Sequence, residues 1–260
     1  MMDFNNKSVI VTGGTKGVGF GISEAFLAAG AHVFICGRNA PEKLPQGNGK
    51  EAVFIAADVR KPDDSQRIID TVLETTGHLD VLINNAGGSP PVKAADAPAK
   101  LTESIIRLNL IAPMIFAQQA YHAMCRNPNG GSIINIASIS GVRPSPGTAA
   151  YGAAKAGLIN VTKSLAQEWA ADKVRVNAII AGLIRTEAAE DHYGDQAGIA
   201  LIEKSLPTGR MAVPADIANA CLFLSQDSSA YVSGAALDVT GAGEPPMFLK
   251  LAEEAFALSR

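Results

Sequence analysis

Seven short runs of β-branched and aliphatic residues recur along the chain: SVIVT at 8 to 12, AHVFIC at 31 to 36, AVFIAA at 52 to 57, LDVLIN at 79 to 84, GSIINIA at 131 to 137, VRVNAII at 174 to 180 and AALDV at 235 to 239. They are nearly continuous in apolar residues, the pattern of strands covered on both faces. Between them lie longer stretches of helical periodicity, which supply the crossovers that parallel strands need. The pattern predicts an α/β fold, a doubly wound parallel seven-stranded sheet of Rossmann type. Residues 182 to 210 break the regularity with mixed polarity and scattered glycines. An insertion of that length reads as a lid. No linker rich in Gly, Ser or Pro and no internal repeat divides the sequence, so residues 1 to 260 read as one domain, with the lid at about 182 to 210 and a C-terminal extension at about 240 to 260.

Composition narrows the partners. With 260 residues and 47% hydrophobic content the chain can bury a sizeable core. A formal net charge of -3 and the lack of any basic run argue against nucleic acid or an anionic membrane as partner. Cys36, Cys125 and Cys221 are far apart and without C-x-x-C spacing, so they read as small hydrophobes in a reducing compartment, with no disulfide framework and no metal. The N-terminal MMDFNNKSVIVTGG has no basic segment followed by an apolar one, and no run of 18 apolar residues occurs; the expectation is a cytoplasmic protein without a membrane span.

The candidate chemistry lies at the strand ends. TGGTKGVG, at 12 to 19, follows the first strand and opens a helical stretch. Glycines there let backbone N–H groups approach a pyrophosphate, and the helix dipole favours its charge. The spacing of Gly13, Gly17 and Gly19 departs from G-x-G-x-x-G, and such a turn can also be purely structural. ADV at 57 to 59, NNAG at 84 to 87 and YGAAK at 151 to 155 likewise fall at the carboxyl ends of strands or just after them, where open α/β sheets bind ligands. Tyr151 and Lys155 share a helical face, their Cβ atoms about 5–6 Å apart. An ammonium about 4 Å from a phenolate contributes roughly 4 kcal/mol at an effective dielectric near 20, enough to bring a phenol from about 10 toward neutrality. Such a phenol is a usable general acid for a carbonyl oxygen. Gly152, Ala153 and Ala154 would leave room for ligands. The structural alternative is a half-buried tyrosine beside a lysine whose stem covers apolar surface.

The set T-G-x-x-x-G-x-G, N-N-A-G, Ser138 and Y-x-x-x-K, in this order and spacing, resembles the short-chain dehydrogenase/reductase family from Lys7 to about Asp238. The resemblance implies an oxidoreductase that moves hydride between a nicotinamide cofactor and a small-molecule carbonyl or secondary alcohol. Tyr151 would be the general acid/base, and Ser138 would hydrogen-bond the substrate oxygen, with Ser140 as local competitor. Lys155 would also hold the nicotinamide ribose. Asn109 would bend its helix and hold a water against Lys155, a plain surface asparagine being the alternative. Gly13, Thr15, Lys16, Gly17, Val18 and Gly19 would form the phosphate turn, Asp58 would receive the adenine amino group, and Val59 would lie against the ring. Asn85, Ala86 and Gly87 would line the cofactor through backbone groups, and Ile184 and Thr186 would hold the carboxamide. At the end of the second strand, where an NAD site carries an acidic residue, the chain has Gly37 followed by Arg38. With Lys16, Arg38 favours NADP(H) over NAD(H), because a guanidinium forks onto a 2′-phosphate; the alternative is a solvated loop charge.

Two segments depart from the family pattern. Ala181 replaces the usual proline in NAIIAGLIRT, which predicts a loosened hinge and a lid, about 186 to 206, that is mobile until cofactor and substrate bind. The C-terminal segment with Phe248, Leu249, Leu251, Ala255 and Phe256 would pack on a neighbouring subunit or on its own sheet. A homotetramer is implied by the resemblance, with Ile105, Met114, Phe116 and Trp169 read as exposed apolar residues. Two rival functions remain. Reduction of 3-oxoacyl groups on acyl carrier protein would want a cationic docking patch, and Arg126, Arg143 and Arg185 are scattered. A non-catalytic NADP(H)-binding sensor is opposed by retention of Asn109, Ser138, Tyr151 and Lys155.

Overall fold

The computed structural model describes residues 3–187 and 189–258; Ala188 of the lid and both chain ends lie outside them. The chain runs through β1 (Ser8–Thr12), α1 (Gly17–Ala28), β2 (His32–Gly37), a small hairpin of β3 (Gln46–Gly47) and β4 (Lys50–Glu51), β5 (Val53–Ala56), α2 (Pro62–Thr76) and β6 (Val81–Asn84). It continues through α3 (Ala99–Ile106), a π-helical turn at Arg107–Ile111, α4 (Ala112–Met124), β7 (Gly131–Ser138), α5 (Ala149–Trp169) and β8 (Val174–Ala181). The lid carries α6 (Ala189–Tyr193) and α7 (Gln196–Ser205), and α8 (Pro214–Ser225), β9 (Ala236–Val239) and α9 (Met247–Leu258) close the chain. Prolines at the first turns of α2 and α8 supply a preset φ where an amide would be unpaired anyway.

The seven long-range strands form one parallel sheet in the order β5-β2-β1-β6-β7-β8-β9. The chain reverses its direction of sheet growth between β1 and β6, and there the carboxyl ends of the strands open a crevice. Burial explains the continuous apolar runs. Val9 and Val11 join Ile22, Phe26 and Leu27 of α1 and Ile217 and Cys221 of α8 on one face. Ile10, one residue out of phase, joins Ile68 of α2, Phe116 of α4 and Leu165 of α5 on the other. Each such side chain stabilises the fold by about 1.5–3 kcal/mol relative to exposure.

Several expectations are corrected here. Ile105, Phe116 and Trp169 are buried inside the chain, and Trp169 stacks on Tyr121 at 4.7 Å; Met114 is partly buried. These residues therefore present no exposed apolar face. Ala181 is not a loose junction: it is buried and pairs with Ser138 on one side and Val239 on the other. The lid has its own small core of Ala189, Ile199 and Met211 with Leu183, Ile202 and Leu206. Met247, Phe248, Leu249 and Leu251 of α9 stay exposed instead of covering the sheet, and the segment before them is tied down by an Arg143–Glu244 ion pair at 2.7 Å.

Candidate active site

At the crevice, the glycine turn is stitched to the end of β6. The Thr12 hydroxyl accepts from the amides of Asn85 and Ala86, both at 2.9 Å, while Asn85 Nδ2 donates to the Thr12 carbonyl at 2.8 Å. The sequence predicted that Asn85 faces the cofactor through its backbone; its side chain, in addition, locks the two strand ends together. Glycine is required by close approach at two points. Gly13 has φ +65° with Ala86 Cα 3.1 Å from where a Cβ would stand, and a Cβ on Gly19 would collide with the Gly13 carbonyl oxygen. Lys16 is exposed beside the turn, and Gly17, the first residue of α1, donates its amide to Glu187 Oε1 at 2.7 Å.

One cleft of about 810 Å³ takes in every residue expected at a dinucleotide site, from the glycine turn and Arg38 through Asp58, Val59 and Asn85–Gly87 to Ser138, Tyr151, Lys155, Ile184 and Thr186. Asn109 alone is not on its wall. That residue is fully buried at the π-helical turn, so it is no surface asparagine. Its Oδ1 accepts from the Gly88 amide and its Nδ2 donates to the Gly88 and Ile105 carbonyls, each at 2.9 Å.

Ser138 ends β7; its hydroxyl accepts from the Ser140 amide at 3.2 Å and lines the cleft beside the Tyr151 phenol. Lys155, one turn along α5 from Tyr151, is buried and donates from Nζ to the Ile136 carbonyl at 2.7 Å. Nζ stands 5.6 Å from the centroid of the Tyr151 ring. This geometry overturns the expected lowering of the phenol's pKa by the ammonium. Burial raises the phenol above its ordinary value, the neighbouring Ser138 hydroxyl opposes that, and Tyr193 of α6 adds to the rise; burial also lowers Lys155 to about 8. The gap between the two residues also serves packing more than ligands. A Cβ on Gly152 would stand 2.8 Å from the Ser140 carbonyl oxygen, Ala154 is buried in the core, and Ala153 points to solvent. By contrast Gly87 does make room at the site, since its missing Cβ would lie 2.7 Å from Asn109 Oδ1 and 3.3 Å from Lys155 Nζ.

At the far end of the cleft, Arg60 grips Asp58. Its Nε reaches Oδ1 at 2.9 Å and its Nη2 reaches Oδ2 at 2.6 Å, so both carboxylate oxygens expected to be open to an adenine are engaged. The Arg60 bond holds the Asp58 carboxyl below its ordinary value, and the charge of Arg38 contributes to it. Arg60, Glu187 and Tyr193 are the site residues that sequence reasoning missed. For Arg60 a signal existed in its place directly after ADV; for the other two, set in the irregular lid, the sequence carried none.

The family model described as enoyl-(acyl carrier protein) reductase matches residues 13–241. A 3-oxoacyl-[acyl-carrier-protein] reductase of Chlamydia trachomatis is 36% identical over 242 residues, covering 91% of this chain and 96% of that one. A 4-formylbenzenesulfonate dehydrogenase of Comamonas testosteroni is 34% identical over 249 residues, covering 92% and 98%. Among solved structures, a short-chain type dehydrogenase/reductase from Mycobacterium ulcerans superposes with a TM-score of 0.84 at 28% identity, covering 92% of this chain and 90% of that chain. The chain belongs to the short-chain dehydrogenase/reductase family and is an oxidoreductase acting on carbonyl and alcohol groups.

Proposed function

We propose that this protein is an NADP(H)-dependent carbonyl reductase or secondary-alcohol dehydrogenase in which Tyr151 is the general acid/base. The observation that carries this reading is the convergence of Ser138, Tyr151 and Lys155 on the cleft that begins at the glycine turn. The residues present fit a dinucleotide: the backbone at Gly13 and Gly19 leaves a cradle that a side chain would fill, and the first amide of α1 donates to a carboxylate. When bound, the cofactor supplies or takes up the hydride. In the reductive direction, the Tyr151 hydroxyl donates its proton to the carbonyl oxygen of the substrate, and Ser138 holds that oxygen by a hydrogen bond. Lys155, held on the Ile136 carbonyl and lining the same cleft, holds the nicotinamide ribose. Asn109 positions the Gly87–Gly88 peptide beside the Lys155 ammonium.

Arg38 with Lys16 supports NADP(H) over NAD(H), and Arg60 supports it further by offsetting the charge of Asp58. The substrate is a small carbonyl compound or alcohol. The Chlamydia relative's name favours the acyl-carrier-protein reading, but Arg143 and Arg185 are each paired with a glutamate and offer no open cationic platform. A cytoplasmic homotetramer is in keeping with the family resemblance and with the exposed apolar residues of α9. Among the described residues, no helix is long and apolar enough to cross a membrane. The test is a screen of ketones and secondary alcohols with NADPH and NADP, in which reductase or dehydrogenase turnover is expected; binding of cofactor without turnover on any of them favours the sensor reading.

A further inference from the structure

The glycine turn already holds an anion, and the lid supplies it. Gly17 lies 170 residues from Glu187 in sequence, yet its amide donates to Glu187 Oε1 at 2.7 Å. The contact extends along the chain, for Thr186 Cγ2 lies 3.6 Å from the position of a Cβ on Gly17. The start of the lid is fixed on its other side by the Arg185 amide, which donates to the Ala212 carbonyl at 2.8 Å. Helix α1 lacks a capping group of its own: Lys16 provides no side-chain cap, and the first turn contains no acidic residue. Its unpaired amides and positive dipole end therefore favour an anion from elsewhere. Among the described residues Glu187 forms no ion pair, so the Gly17 amide is the partner that holds its carboxylate in place.

The same amides form the cradle for the pyrophosphate under the reading above, on which this inference rests. A carboxylate and a phosphate cannot share one seat, because each needs the N–H groups and the two negative charges repel. We propose that Glu187 is an internal competitor for the pyrophosphate: in the free protein its carboxylate pins the start of the lid to the glycine turn, and dinucleotide binding displaces it. Cofactor affinity and lid position are then coupled, since a ligand that evicts Glu187 gives up the stability of that bond and frees the lid to settle over the nicotinamide end. The lid of the free protein is thus a latched segment, in place of the loose one that the Ala181 substitution suggests.

The test compares the full-length protein with Glu187→Gln and Glu187→Ala, using three probes: NADPH, ADP, which carries a diphosphate without a nicotinamide or 2′-phosphate, and 2′-AMP, whose phosphate is elsewhere. Both variants are expected to bind NADPH and ADP about three- to tenfold more tightly, the range for losing one charge-assisted contact at a solvent-accessible site. Binding of 2′-AMP is expected to stay unchanged. Hydrogen exchange of lid amides in the ligand-free variants is expected to be faster than in the parent. Equal dissociation constants in parent and variants overturn the proposal, as does tightening of 2′-AMP as large as that of ADP, which would reflect a general change of charge. The two readings fail differently: if neither the parent nor the variants bind any dinucleotide, the functional reading is wrong, whereas dinucleotide binding indifferent to residue 187 removes the competitor alone.

Discussion

Asn109 holds both backbone groups of one residue, accepting from the Gly88 amide and donating to the Gly88 carbonyl, each at 2.9 Å. The π-helical turn at Arg107–Ile111 aims the side chain inward, and its third bond, to the Ile105 carbonyl, ties that turn to the preceding helix. Replacement by alanine leaves buried backbone groups unpaired. Asn109→Ala is expected to lower stability by about 1–3 kcal/mol and to weaken cofactor binding through a displaced Gly87–Gly88 peptide. Urea unfolding and cofactor titration check this; a variant with parental stability would show that the Gly88 bonds are dispensable.

Tyr151→Phe is expected to keep NADPH affinity within about twofold while removing most turnover, because the ring remains and only the proton donor is lost. Lys155→Ala should damage binding and turnover together. Steady-state kinetics on any ketone that the parent reduces is the measurement, and a Phe variant with near-parental kcat rules out Tyr151 as the acid.

The cofactor preference is tested most cleanly at Arg38. Loss of one or two charge-assisted contacts to a 2′-phosphate is expected to weaken NADPH binding at least tenfold in Arg38→Ala and to leave NADH nearly unchanged. Introducing an acidic residue at Gly37 is a less direct experiment, since a Cβ there would stand 2.9 Å from Thr15 Cγ2 and force that side chain to turn. Arg60→Ala should add to the loss by leaving Asp58 uncompensated. Parental affinity for NADPH in the Arg38 variant, or equal affinity of the parent for both cofactors, contradicts the assignment.

Burial of Lys155 carries a pH signature. Its folded-state pKa of about 8 lies below the ordinary lysine value of 10.5, so the unfolded chain binds more protons between those values and stability rises with pH across that window. Below about pH 8 the buried ammonium costs up to about 3 kcal/mol, at 1.36 kcal/mol per pKa unit. Lys155→Met is therefore expected to be more stable than the parent at pH 7, with an advantage that shrinks as pH rises toward 10.5. Denaturant midpoints measured at several pH values decide it; a difference between the two proteins that stays flat from pH 7 upward refutes the effect.

The sheet was legible in the sequence because strands covered on both faces must be apolar at consecutive positions, so Ile10 and its neighbours Val9 and Val11 mark a strand without knowledge of which helix each meets. The glycine turn and the Tyr151–Lys155 pair were legible for a similar reason, since each depends on spacing within a few residues of one element. Tertiary structure decided the rest. Whether Lys155 turns to the phenol or to the Ile136 carbonyl, what fills the gap at Gly152, and which cation holds Asp58 depend on side-chain directions that local periodicity does not encode. The bonds of Asn109 to Gly88 and of Glu187 to Gly17 join positions 21 and 170 residues apart. Such pairings exist only once the strands have brought their carboxyl ends together, because a hydrogen bond needs its partners within about 3 Å and chain order places no limit on where that happens.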